Sequence, residues 1–289
     1  MAIDHLQDKI RKLKVPIVLE IGTTKQLPEH LLEQEGSLLG ALGRFCRELL
    51  ETMAGKVPAV RFRLARFALL GGEGLALLQQ LLAEAKAKGY YVMLDLPEAL
   101  TPWDAEDSAA ALGAGLWSCD GVVVSGYAGS DCWKPYVQAM QENDLDLFAV
   151  VRTGNKSAAE LQDLLTGGRL VHLAAADIVN RLGQGMYGRC GYSRVAALAG
   201  PGGTDALGVL RQRYPKLFML VEHYDYSNLS LKKCAQAFDR LGHGAAICVG
   251  RRISDAWIEA ETDGYDYLQQ AALALERMKK NLAGIMPVL

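Results

Sequence analysis

Eight short apolar runs, each followed by helix-patterned or turn-rich sequence, constrain this chain more than any other feature. They cover residues 16–21, 57–64, 90–95, 121–125, 147–152, 195–199, 217–221 and 245–250. Apolar runs of this kind read as parallel strands buried on both faces, and their alternation with helical patterns predicts a parallel α/β architecture. Eight such units predict closure into a (β/α)8 TIM barrel. Between the runs, residues 72–88 read as a helix with Leu75, Leu78, Leu82 and Ala85 on one face, stopped by Gly89. Residues 31–53 read as one longer helix, and residues 258–282 as the closing helix. A barrel of about 250 residues plus N-terminal helical decoration accounts for all 289 residues, of which 50% are hydrophobic. Residues 1–289 are therefore expected to form a single TIM-barrel domain.

The net charge is −2, from 31 basic and 33 acidic residues. No long-range field exists to draw in nucleic acid or an anionic membrane, so phosphate binding has to be local. No apolar stretch approaches the ~18 residues that span a bilayer, and no basic-then-apolar leader precedes a cleavage site. A cytoplasmic location and no membrane partner are the expectations. The six cysteines, Cys46, Cys119, Cys132, Cys190, Cys234 and Cys248, lack Cys-x-x-Cys or His-paired spacing. That spacing predicts neither a zinc site nor a disulfide framework, and no metal or cofactor is expected.

In a barrel, side chains at the C-terminal strand ends meet the ligand. The run Tyr91-Val92-Met93-Leu94-Asp95 stops on one carboxylate and so delivers Asp95 to the mouth. Arg61, Arg152, Arg251 and the cluster Glu222-His223-Tyr224-Asp225 stand at or just after other strand ends and should converge there. Arg61 is placed to hold Asp95 ionised by a bidentate pair, either as part of a ligand site or as filling for one. Arg152 reads equally as a ligand contact and as a loop anchor. His223 beside carboxylates reads as an acid/base near neutral pH, although residues 222–226 also suit a solvated loop. Pro201-Gly202-Gly203-Thr204-Asp205 reads as a turn feeding a helix through a Thr or Asp cap, or as backbone amides offered to an anion.

Several motifs resemble the orotidine 5'-monophosphate decarboxylases, in particular their longer bacterial branch. Val151-Arg152-Thr153-Gly154-Asn155-Lys156-Ser157-Ala158-Ala159-Glu160-Leu161 resembles a Val-Arg-Thr-x-Asn-x-Ser-Ala-Ala-Glu-Leu segment of that branch. Tyr127-Ala128-Gly129-Ser130-Asp131 resembles its Tyr-x-Gly-x-Asp loop, and Val249-Gly250-Arg251-Arg252-Ile253 the strand end whose arginine grips the substrate phosphate. The departures fall where the chemistry would be. The family's Asp-x-Lys-x-x-Asp is reduced to Asp95, with Pro97 at the lysine position and Leu100 at the second aspartate. The ribose-binding aspartate of the first strand is replaced by Gly22 or, in a shifted register, Glu20; the second-strand lysine appears as Arg61. Residues 222–226 replace the usual glycine-rich phosphate loop.

The resemblance implies a homodimer in which the second aspartate serves the neighbour's site. It also implies a small anionic or phosphorylated, nucleotide-like ligand, with Arg251, Arg152, Glu20 and Glu222 as binding candidates and Asp95, Arg61 and His223 as catalytic ones. Proline cannot donate a proton. Losing a positioned general acid costs about 10²–10⁴ in rate, and losing a preorganised charge about 10²–10³. The expectation is a barrel without working decarboxylation. Its rivals are a genuine decarboxylase of pyrimidine biosynthesis, with a lysine recruited from elsewhere, and a non-catalytic role through the family's dimer surface.

Overall fold

The computed structural model describes residues 1–22, 24–201, 205–222 and 231–285. Eight parallel strands close into a barrel: β1 (Ile17–Glu20), β2 (Ala59–Arg63), β3 (Tyr91–Asp95), β4 (Gly121–Ser125), β5 (Asp146–Arg152), β8 (Val195–Ala199), β9 (Met219–Val221) and β10 (Ala245–Val249). A two-stranded antiparallel ribbon, β6 (Leu165–Thr166) and β7 (Arg169–Leu170), interrupts the βα rhythm after β5. The barrel closes where β1 pairs with β10, Ile17 opposite Ile247. This is the (β/α)8 TIM-barrel architecture that the eight apolar runs predict.

Side chains alternate in and out along every strand, so two separate apolar cores form. Outward-facing residues such as Leu19, Val60, Val92 and Ile247 pack beneath the surrounding helices. Inward-facing residues, including Val18, Ala59, Tyr91, Met93, Phe148 and Phe218, fill the barrel itself. The N-terminal decoration is a helix, α1 (Ala2–Leu13), whose Ile3, Leu6 and Ile10 are fully buried and join that inner core. It stoppers the N-terminal end of the barrel. Full burial of each such aliphatic side chain stabilises by about 1.5–3 kcal/mol.

Residues 31–53 do not form one helix. Gly36, at φ +63°, caps a short helix, Glu29–Glu35, in the left-handed conformation that glycine adopts without a Cβ penalty. The Ser37 side chain then accepts from the Gly40 N–H to start a second helix, Leu38–Met53. The closing segment is likewise two helices, Ala256–Glu259 and Tyr267–Ala283. Of the two expected caps after residue 201, Asp205 accepts from the Gly208 N–H at 3.3 Å. Gly202, Gly203 and Thr204 lie outside the described residues.

Candidate functional site

Following the inward-facing positions from the bottom of the barrel to its top, the chemistry changes within one step. Val18 leads to Glu20, Ala59 to Arg61 and then Arg63, Met93 to Asp95, and Leu220 to Glu222. Strand pairing sets these residues side by side, with Glu20 opposite Arg61 and Arg63 opposite Asp95. A charged layer therefore lies directly on the apolar one.

Arg61 is the hub, buried to 2% exposure. Its Nε donates to Asp95 Oδ1 and its Nη2 to Asp95 Oδ2, both at 2.6 Å, in a bidentate pair. Nη1 donates to Glu20 Oε1 at 3.2 Å and meets Cys248 Sγ at 3.4 Å. The Glu222 carboxylate lies 3.4 Å from the same Nη1. Arg63, more open at its side chain, bridges Glu20 Oε1 at 2.9 Å and Glu222 Oε1 at 2.6 Å through Nη2. Two guanidiniums thus hold three carboxylates.

Burial opposes charge on Arg61, but Asp95, Glu222, Cys248 and Glu20 around it outweigh burial and hold its pKa well above the usual arginine range. Burial pushes the Asp95 carboxyl up, and the Arg61 and Arg63 guanidiniums pull it back only in part. Burial also pushes the Cys248 thiol far up, which removes it as a nucleophile at neutral pH.

Over this layer opens a cavity of about 320 Å³. Arg61, Arg63, Asp95 and Glu222 form its charged end, and Glu98, Ser125, Tyr127, Thr153 and Gln162 stand in its walls. Gly126 lets the β4 exit pass beneath the β5 exit, since a Cβ there would fall 1.7 Å from the Val150 carbonyl oxygen. No lysine is among the described residues that line the cavity.

The predicted site residues divide into four groups. Glu20, Arg61, Asp95 and Glu222 come together as one network. Arg152 does not join it: Nε and Nη2 grip Asp163 at 2.9 and 2.7 Å, and Nη1 donates to the Thr153 carbonyl at 2.9 Å. His172 approaches the same Asp163 at 3.1 Å, its pKa lowered by burial. Arg152 therefore occupies the loop-anchoring position of its two readings. Arg251 follows β10 at the start of a short helix, Arg251–Ser254, on the mouth side of the barrel. His223, with Tyr224, Asp225 and Tyr226, lies outside the described residues.

Arg63, Glu98 and Cys248 are participants that the sequence reading missed. Arg63 had a usable signal, since it sits two residues beyond Arg61 and period two puts both on one face.

No family model matches the chain. Among curated proteins, the orotidine 5'-phosphate decarboxylase of Rhodopirellula baltica is 28% identical over 240 residues, covering 79% of this chain and 80% of its own. That of Clostridium novyi is 24% identical over 284 residues, 98% of each chain. Among solved structures, Plasmodium berghei orotidine 5'-monophosphate decarboxylase matches 98% of both chains with a TM-score of 0.78 at 10% identity, a likeness of fold. The chain is similar to the orotidine 5'-phosphate decarboxylases, bacterial ones matching it along nearly its whole length.

Proposed function

We propose that this protein is an orotidine 5'-phosphate decarboxylase-like barrel that has lost decarboxylation and binds a small phosphorylated, nucleotide-like ligand at its mouth. The observation that carries this reading is the bidentate grip of Arg61 on Asp95, beside Pro97 and Leu100. In the resemblance, Asp95 works with a lysine two residues on. Here its partner is a guanidinium from the neighbouring strand, which stays charged at any physiological pH and cannot deliver a proton to a carbanion. Arg251 is the candidate for the ligand's phosphate, whereas Arg152 acts through the loop it anchors. Asp95, Arg61 and His223 remain the candidates for any chemistry at the mouth.

The homodimer belongs to the same proposal, as does a cytoplasmic setting. Leu100 and Trp103, 76% and 75% exposed in the segment after β3, are the apolar side chains that support the homodimer. A second reading, conversion of orotidine monophosphate to uridine monophosphate and CO2 in pyrimidine biosynthesis, is favoured by the names of the curated relatives.

Incubating the purified chain with orotidine monophosphate and quantifying uridine monophosphate separates the two. The expected outcome is no product above the uncatalysed background, with a relative assayed alongside turning over fully. Product formed at a rate near that of the relative would establish the second reading.

A further inference from the structure

The hydrogen-bonding state of the mouth cavity narrows its ligand further, on the premise that this cavity takes a nucleotide-like molecule. Among the described residues, the neutral side-chain donors of its lining are each bonded to acceptors of the protein. The Ser125 hydroxyl donates to Glu98 Oε1 at 2.7 Å, the Tyr127 hydroxyl to the Val151 carbonyl at 2.6 Å, and the Thr153 hydroxyl to Asn155 Oδ1 at 2.5 Å. Gln162 Nε2 donates to Thr153 Oγ1 at 2.9 Å. Arg61 spends Nε and Nη2 on Asp95 and Nη1 on Glu20. Arg63, the more exposed cation, already bridges Glu20 and Glu222. Among the described residues, the inner end and rim carry two guanidiniums against the carboxylates of Glu20, Asp95, Glu98 and Glu222.

We infer that the ring end of the ligand is an uncharged heterocycle that donates hydrogen bonds through amino or imino groups, and that a ring bearing a carboxylate is rejected. Among the described residues four carboxylates face two guanidiniums, so the excess is of acceptors, and a ligand that supplies donors is favoured. A ring carboxylate would find Arg61 engaged at all three nitrogens, Arg63 already bridging two carboxylates through Nη2, and further carboxylates as neighbours, so its lost hydration would be replaced only in part. An exocyclic amine would reach the outer oxygens of Asp95 or Glu98 without disturbing either arginine. The preference is the reverse of that needed to take up a carboxylated pyrimidine nucleotide.

Calorimetric titration of the full chain with cytidine, uridine and orotidine monophosphates and with ribose 5-phosphate tests this. Cytidine monophosphate is expected to bind at least as tightly as uridine monophosphate, and orotidine monophosphate at least tenfold more weakly than uridine monophosphate. In the Glu98→Gln variant, which removes one rim carboxylate, the cytidine-to-orotidine preference should narrow at least threefold. Orotidine monophosphate binding as tightly as uridine monophosphate, or an unchanged preference in Glu98→Gln, overturns the inference. Ribose 5-phosphate binding as tightly as cytidine monophosphate also overturns it, because the ring would then contribute nothing, yet leaves the phosphorylated-ligand reading standing. If none of the four binds, the nucleotide-site reading itself fails and the inference with it.

Discussion

Removing a guanidinium from water costs several kcal/mol unless its charge and all its N–H groups are met. Arg61 is 2% exposed; Asp95, Glu20 and Glu222 answer its charge, and each of its three nitrogens has a hydrogen-bond partner. Replacing it would leave three carboxylates facing one another with Arg63 alone between them. Arg61→Met is expected to destabilise by about 3–5 kcal/mol, read from urea unfolding midpoints at constant slope; a loss below about 1 kcal/mol would mean the carboxylates relax into solvent.

A second buried carboxylate acts at the opposite end of the barrel. Asp146 is fully buried, accepts from the Tyr91 hydroxyl at 2.6 Å and faces Arg194 Nε at 3.3 Å, yet burial dominates and raises its pKa to about 7. The folded chain then binds the proton more tightly than the unfolded chain. Its contribution is fully present below the model-peptide value of 3.8 and is lost as pH rises through about 7. Asp146→Asn keeps an acceptor for Tyr91 and removes the charge. Its stability relative to the parent should rise steadily from pH 4 to pH 7.5 in paired denaturation curves, and a flat difference would show that Asp146 stays ionised. The pairing of Arg61 with Asp95 was legible from strand ends alone. The environment of Asp146 was not, because it depends on Tyr91 and Arg194, which are distant in sequence.

At the scale of elements, the strands were the most legible part. The runs at 121–125 and 195–199 match β4 and β8, the run at 147–152 starts one residue inside β5, and the others overrun their strands by one or two residues at an end. Helices were harder, because apolar periodicity continues across a break that one glycine makes, as at Gly36. The anchor after β5 is built from Arg152, Asp163 and His172, of which only Arg152 sits at a strand end. The role of α1 came entirely from packing. Its Ile3, Leu6 and Ile10 stripe reads as an ordinary amphipathic face, and nothing local says that the face closes the barrel floor. Leu6→Ala should cost about 2–5 kcal/mol through lost burial and the cavity left behind. Thermal melting would show it, whereas a shift of only a degree or two would mean α1 is peripheral to the inner core.

For the whole molecule, restoring two side chains should not restore chemistry. In Pro97→Lys/Leu100→Asp, Asp95 would still be held by Arg61, and the new lysine would meet a carboxylate that is already paired. Product from orotidine monophosphate is expected to stay at background in a discontinuous assay; measurable turnover would mean that the Arg61 pair yields to the new lysine. The sequence by itself determined the barrel, because eight apolar runs separated by helical stretches have few ways to bury both faces of a sheet other than closure. It also brought Glu20, Arg61, Asp95 and Glu222 to the mouth, since strand ends and period two are local properties. Only the tertiary structure decided how those groups are used. Glu20 and Glu222 are about 200 positions apart in the chain, and barrel closure brings both onto one arginine. That contact depends on pairing register and on the apolar layer beneath, and neither is written in any one segment.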